Sequence, residues 1–295
     1  MRKVLVKLHR WIGVVLFAYV MMICLTGSFL VYRPELLRMF EPKPTEVAVG
    51  ARLLSDDELL QAAARAFPAE SAVQVWRGAA PHHAVEVDLE RGEVRRNYLF
   101  DPYTGKPVGP TLPLGFRATT FILKLHAELV GAESGRVVNG ALGLGLAFLG
   151  LTGALVWRPR RKPERAGSLR RLHMTTGIVV AMFVVMWGVT GFHLAYPAAG
   201  EAVIEWFEPF DELNPAERTG DTVSYWMSYL HFGRLGGYVP GCGRGDPCDH
   251  AIKTAWVLIA LAPEFLAGSG FWLWLRGRRA RARVRAGAPA DIRSS

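Results

Sequence analysis

Residues 6–13 read VKLHRWIG and residues 170–177 read RRLHMTTG. Each places a histidine, His9 or His173, where a basic stretch gives way to a long apolar run. Four such runs occur, at about 11–32, 140–157, 174–196 and 254–275. Each is close to the roughly 20 residues that a helix needs to cross about 30 Å of hydrocarbon. The chain is therefore read as a four-span membrane protein. The second run is the shortest, and its Gly140, Gly143, Gly145, Gly150 and Gly153 suit close helix packing in lipid.

The formal charge of +9 matters for where it lies. Arg2, Lys3, Lys7 and Arg10 precede the first run. Arg158, Arg160, Arg161, Lys162, Arg165, Arg170 and Arg171 fill the link between the second and third, and six arginines from Arg276 to Arg285 follow the fourth. Positive charge flanking spans marks the cytoplasmic side, so both termini are expected inside and residues near 33–139 and 197–253 outside. This placement argues against a nucleic-acid partner. A cleaved signal peptide is not expected either, because the first run is too long and no A-x-A site follows it.

Repetition organises the membrane part. At an offset of 164 residues His9 aligns with His173, Gly13 with Gly177, Thr26-Gly27 with Thr190-Gly191, and Tyr32 with Tyr196. Leu125-His126 and Gly131 correspond to Leu230-His231 and Gly236 at an offset of 105; Gly153 and Trp157 correspond to Gly270 and Trp274 at 117. The 12 extra residues hold the loop PGCGRGDPCDH at 240–250. The unit is a span, an outer segment with a histidine, and a second span. The expected fold is thus membrane all-α, with four transmembrane helices as two pseudo-repeated units.

Between the first two spans lies a small α+β module. LSDDELLQAAARAF at 54–67 has the start signal and periodicity of a short amphipathic helix. AVQVWRG, HAVEVDL and EVRRNYLF read as strands, the last running into the DPYTG turn. The expected divisions are the first span with a cytoplasmic N-terminus (1–33), the periplasmic module (34–118), and an outer amphipathic helix with the second span (119–158). A basic cytoplasmic loop (159–172), the third span (173–197), a periplasmic segment with the Cys loop (198–253), the fourth span (254–276) and a basic cytoplasmic tail (277–295) follow.

The histidines carry the chemistry. Two neutral imidazoles facing one another from separate helices at one membrane depth are what six-coordinate haem iron requires. His9 and His173 satisfy that depth condition at the inner rim. His126 and His231, in the amphipathic segments TTFILKLHAELVG and VSYWMSYLHFGRLGG, satisfy it at the outer rim. The plainer reading makes all four interfacial anchors. His193 has no counterpart, since Phe29 holds its place in the first copy, and it stands as an alternate outer ligand or a neighbour of one. His82 and His83 fit a solvated loop. Cys242 and Cys248 suit a disulfide in an oxidising compartment, with a metal site using His250 as the alternative. Cys24 reads as a core residue. Glu264, beside Pro263 in the fourth run, is a costly intramembrane acid with no assigned role. No dinucleotide fingerprint, phosphate loop or nucleophile elbow is present.

The order LHRWIG and LTG in the first span, a helix and strands ending FDPYTG, LKLHAELVG before the second span, and RRLHMTTG with VTG in the third resembles the PepSY-associated transmembrane family of iron-regulated bacterial membrane proteins. The resemblance implies a bacterial inner-membrane protein of siderophore iron uptake, some members of which are haem-containing ferric-siderophore reductases. Larger members carry extra helices or a flavin reductase domain that this chain lacks. The expected function is therefore an oxidoreductase with one or two haem b groups. It would pass electrons from an unidentified cytoplasmic reductase or quinol across the bilayer to a periplasmic ferric siderophore or other ferric chelate. The alternative is a non-catalytic anchor whose outer module binds a peptidase or envelope partner.

The basic flanks generate a topology prediction. Reporter fusions after Arg165 and Arg285 are expected to read cytoplasmic, and fusions at Gly92 and Asp221 periplasmic; an outside signal at Arg165 overturns the assignment.

Overall fold

The computed structural model describes residues 2–92, 94–157, 168–209 and 218–286. Arg158, Arg160, Arg161, Lys162 and Arg165 of the basic link, and the end of the basic tail from residue 287, lie outside the described residues. The chain divides into two compact units, residues 1–32 with 122–295, and residues 33–121.

The first unit is helical. α1 (Arg2–Val15) and α2 (Phe17–Leu30) are followed, after the second unit, by α5 (Leu114–Glu128), whose C-terminal part belongs here, and by α6 (Ala132–Val156). α7 (Ser168–Ala195), α8 (Pro197–Phe207), α9 (Thr219–Phe232), a 3-10 turn at Gly236–Tyr238 and α10 (Pro247–Ala286) complete it. α6, α7 and α10 are long and apolar enough to cross a membrane, and α1 with α2 forms a fourth candidate bent by 63°. The first apolar run is thus two helices rather than one straight span. No proline stands at the break around Leu16, where Leu16 N–H still donates to Ile12 O at 2.8 Å and Val20 N–H to Leu16 O at 2.8 Å.

Leu16, Val20, Leu146, Val180 and Val184 form the buried centre of the bundle, joined by Ile12, Leu142, Ile259 and Leu266. The glycines of α6 let it approach α7 at backbone distance. A Cβ built on Gly188 would lie 2.5 Å from Gly143 O and 2.6 Å from Ala147 N. In lipid, where apolar burial does not distinguish a neighbouring helix from an acyl chain, such close contact is a main source of helix association.

The second unit contains α3 (Arg33–Met39), α4 (Asp56–Ala66) and an antiparallel meander, β1 (Ser71–Trp76), β2 (Val85–Arg91), β3 (Val94–Phe100) and β4 (Pro107–Pro110). Val85, Val87 and Leu89 alternate onto one face of β2 and bury against Leu59 and Ala63 of α4 and Phe100 of β3. α4 begins with a capping box: Ser55 Oγ accepts from Glu58 N–H at 3.2 Å, and Glu58 accepts from Ser55 N–H at 2.7 Å. Arg52 donates to the same carboxylate at 2.7 Å, and mainly through that contact Glu58 is pushed down to about 2. Asp101 of the DPYTG turn accepts from Tyr103 N–H at 2.8 Å, while Gly105 takes φ +65°.

The α6–α7 contact yields a paired expectation. Gly188→Val should lower the unfolding temperature in detergent, by overpacking worth about 1–3 kcal/mol or more. Gly268→Val, on an α10 face with nothing within 4 Å, should leave it nearly unchanged. Equal effects in circular-dichroism melts would contradict the close α6–α7 approach.

Candidate functional site

Four helices each present a hydroxyl followed by a glycine, and each pair receives one imidazole. His126 Nδ1 lies 3.0 Å from Thr26 Oγ1, and His231 Nδ1 lies 2.9 Å from Thr190 Oγ1. His173 Nδ1 lies 2.8 Å from Ser269 Oγ, and His9 Nδ1 lies 3.2 Å from Thr152 Oγ1 and 3.2 Å from Leu149 O. The glycine after each hydroxyl makes room for the ring. A Cβ on Gly27, Gly153, Gly191 or Gly270 would meet Cε1 of His126, His9, His231 or His173 at 3.0, 3.1, 3.4 and 3.2 Å respectively.

The hydroxyls determine which ring nitrogen carries a proton. Thr26 Oγ1 donates to Met22 O at 2.7 Å, Thr190 Oγ1 to Met186 O at 2.8 Å and Thr152 Oγ1 to Phe148 O at 2.9 Å; Ser269 Oγ donates to Leu266 O at 3.3 Å. A hydroxyl has one proton, so each has only lone pairs left to offer an imidazole. The Nδ1 atoms therefore donate, an assignment made from the hydrogen-bond network. For His9 the backbone carbonyl of Leu149 requires the same answer. A neutral imidazole protonated at Nδ1 bears its lone pair on Nε2, the form that binds metal.

His126 and His231 come together across the bundle, with ring centroids 6.3 Å apart and planes at 61°. Two imidazoles bound through Nε2 to one metal at about 2.0 Å would hold ring centres roughly 6 Å apart, so this spacing fits a shared iron. His9 on α1 and His173 on α7 are each bonded to a hydroxyl of another helix, Thr152 of α6 and Ser269 of α10. His173 and Thr190 are seventeen residues apart on α7, about 25 Å at 1.5 Å per residue, so the two pairs occupy different levels of one bundle. His193, also on α7, lies against α8: a Cβ on Gly200 would meet its Nδ1 at 2.8 Å.

Backbone devices hold the His126/His231 pair. Asn139 of α6 donates through Nδ2 to His126 O at 2.7 Å and Ala127 O at 3.1 Å, satisfying carbonyls at the end of α5. Tyr19 Oη in turn donates to Asn139 Oδ1 at 2.9 Å. The α5–α6 turn is strained, with positive φ at Leu129 (49°), Val130 (62°) and Ala132 (49°). Val130 is β-branched and strongly disfavours that region, so surrounding contacts must over-determine the turn. At the start of α9, Glu208 accepts from Gly220 N–H at 2.8 Å and Thr219 N–H at 3.2 Å; the Gly220 contact chiefly holds its carboxyl below the ordinary value. α9 ends at Gly233 with φ +66°, where a Cβ would strike the Trp256 ring at 2.4 Å.

A Cys242–Cys248 disulfide ties the connection after α9 to the first turn of α10. Asp249 accepts from Gly245 N–H at 3.0 Å and from Lys253 Nζ at 2.7 Å, closing the loop onto the first turns of α10. His250 stacks on Tyr32, with centroids 6.1 Å apart, and no described group of three or more His, Cys, Asp or Glu side chains forms a metal cluster. Glu264 Oε1 has no hydrogen-bond partner among the described residues.

Sequence reasoning found the imidazoles and missed their supports. Thr152, Ser269, Asn139 and Tyr19 were not singled out. The usable signal was that Gly153 and Gly270 correspond, and that each follows a hydroxyl residue as Gly27 and Gly191 do.

The class defined by fold and site is a membrane protein of long apolar helices carrying hydroxyl-oriented histidines at two levels. The chain belongs to the PepSY-associated TM region family, whose model matches residues 6–219. The match takes in His9, His126 and His173, and ends before His231 and Ser269. No curated protein matches the chain.

The Cys242–Cys248 bond is checked by mass. Alkylation of intact denatured protein without reductant should label Cys24 alone, and label all three cysteines after reduction. Three labels without reductant would contradict the bond.

Proposed function

We propose that this chain is a bacterial inner-membrane b-type haem protein that moves electrons across the bilayer to reduce a ferric siderophore or other ferric chelate outside. The observation that carries the reading is the His126–His231 spacing of 6.3 Å, with both Nδ1 atoms committed to threonine hydroxyls. A membrane anchor has no use for four tautomer-fixed imidazoles at two levels.

On this reading His126 and His231 hold one haem near the outer face, and His9 and His173 hold another near the inner face. The repeat then supplies one ligand per copy to each level, and the α+β module lies in the periplasm. Haem ligated by two imidazoles supplies one-electron chemistry at an iron with no open position. The protein's own part is positional. Thr26 and Thr190 keep His126 and His231 in the ligating tautomer, and Ser269 and Thr152 do the same for His173 and His9. Gly27, Gly191, Gly270 and Gly153 leave space for the rings. Fe(II) is a softer ion than Fe(III) and is held less tightly by hard oxygen donors, so reduction outside releases the metal. Arg10, Lys7, Arg170 and Arg171 flank the inner level, where guanidinium and ammonium groups suit carboxylates such as haem propionates.

The test is a visible spectrum of detergent-purified protein, oxidised and then reduced with dithionite. Low-spin b-type bands are expected. His173→Ala should remove or convert only one haem, and His231→Ala only the other, with ferric-chelate reduction failing in both. Thr190→Val should weaken haem retention about 10–100-fold, with Thr190→Ser close to wild type. A pyridine haemochrome assay that finds no haem in folded protein overturns the reading.

A further inference from the structure

α2 and α10 run antiparallel along one seam that is pinned at both ends. At the end nearer Ser269, Phe17 stacks on Phe271 with ring centroids 4.4 Å apart and planes at 15°, and Trp274 and Trp11 continue the series at 5.5 and 6.2 Å. At the other end Tyr32 Oη and Thr254 Oγ1 are hydrogen-bonded at 2.9 Å. Two helical turns separate Phe271 from Glu264 and Phe17 from Cys24, so Glu264 and Cys24 stand at one level, about 10 Å along the seam from the stacked rings.

Between Glu264 and Phe271 lies Gly268. At 100° per residue these three fall within about 60° of one another, on one stripe of α10. A Cβ built on Gly268 meets nothing within 4 Å, so the stripe has a notch there. Glu264 Oε1 is buried at the end of that notch and has no hydrogen-bond partner among the described residues. Leu261 and Trp272, 38% and 48% exposed, flank the stripe on the side away from the bundle centre, so the notch opens toward lipid. Ser269, whose hydroxyl lies 2.8 Å from His173 Nδ1, is the residue next to Gly268.

We propose that this notch binds a membrane-dissolved hydroquinone, with a hydroxyl on the Glu264 carboxyl and the ring against Phe271 and Phe17. The position selects the class. A water-soluble donor does not enter an apolar span, and an acyl chain fills the notch but leaves a buried carboxyl oxygen unmatched. A hydroquinone dissolves in the bilayer, offers a ring to the aromatic pair and carries the polar group that Glu264 lacks. A carboxylate accepts from a hydroquinone hydroxyl and a carboxylic acid donates to a quinone carbonyl, so Glu264 can bond both oxidation states.

The hydroquinone's role as electron donor rests on the electron-transfer reading proposed above, whereas binding itself does not. In that role one hydroquinone breaks two O–H bonds and becomes a quinone. Its two electrons reduce two ferric chelates outside to Fe(II), and its two protons pass one at a time through the Glu264 carboxylate to water. The place of Gly268 beside Ser269 sets the donor next to the level from which those electrons depart.

A short-chain azidoquinone reads binding without any reductase activity. Photolysed with the full chain in phospholipid nanodiscs, it should label residues within 17–24 or 261–272, saturably and with displacement by excess decylubiquinone. Gly268→Val fills the notch where nothing else stands within 4 Å, and should abolish the saturable labelling while the melting temperature stays near wild type. Glu264→Leu should lower labelling about tenfold, and Glu264→Gln, which still donates and accepts, should retain most of it. Displaceable labelling of the seam in protein without haem would support this site and refute the electron-transfer reading. Haem present with no labelling of the seam, labelling that decylubiquinone does not displace, or labelling that survives Gly268→Val overturns the site. Displaceable labelling in haem-loaded protein that decylubiquinol fails to reduce overturns the donor role alone.

Discussion

The hydrogen bond between an imidazole Nδ1–H and a hydroxyl that has already given its proton to its own helix is the constraint on which the bundle depends. A serine or threonine inside a helix usually bonds the carbonyl one turn back, and by itself that bond does little. Here it removes the only proton with which Thr26, Thr152, Thr190 or Ser269 might meet a ring nitrogen as donor. The imidazole must donate. One local bond thus sets the tautomer of a residue on another helix, and ties α5 to α2, α9 to α7, α1 to α6, and α7 to α10. In lipid these bonds count, because an unmatched polar group there finds no water.

Glycine is the second half of the same device. The ring approaches the helix beside its hydroxyl, and a Cβ at the next position would stand 3.0–3.4 Å from Cε1 at all four places. Glycine in a helix interior costs roughly 1 kcal/mol relative to alanine in water. At Gly27, Gly153, Gly191 and Gly270 that cost accompanies a ring seat, and at Gly143 and Gly188 it accompanies the α6–α7 contact.

The spans, the module and the histidines were legible because each leaves a periodic or repeated trace. Val85, Val87 and Leu89 alternate, Ser55 and Glu58 have capping-box spacing, and His9 and His173 share flanks 164 residues apart. The hydroxyl partners were harder to read. Thr152 and Ser269 correspond in role but differ in type, and a hydroxyl inside a helix has an ordinary local explanation. Asn139 shows no periodicity that reveals its bond to His126 O. β4 is four residues long with proline at both ends, and α8 is short, so neither stands out from its loop. The bend near Leu16 has no proline to announce it.

The material between the two histidine levels bears on what crosses the bundle under the proposed function. Leu16, Val20, Leu146, Val180 and Val184 fill its centre, and Ile12, Leu142, Ile259 and Leu266 pack around them. A hydrated ion or chelate moving through helices needs polar groups along its way, because intramembrane charge is expensive unless it is solvated or paired. Tyr19 is committed to Asn139, which leaves Glu264 as the ionisable carboxyl that the fourth run contributes. One acid does not make a polar route over the roughly 25 Å between levels. An electron needs no such route, only donors and acceptors held at fixed positions on either side of an apolar barrier. Haem held by four imidazoles whose tautomers are set by hydroxyls and whose rings are seated on glycines would meet that need, which is why electron transfer, and not transport of the chelate, is the function we propose.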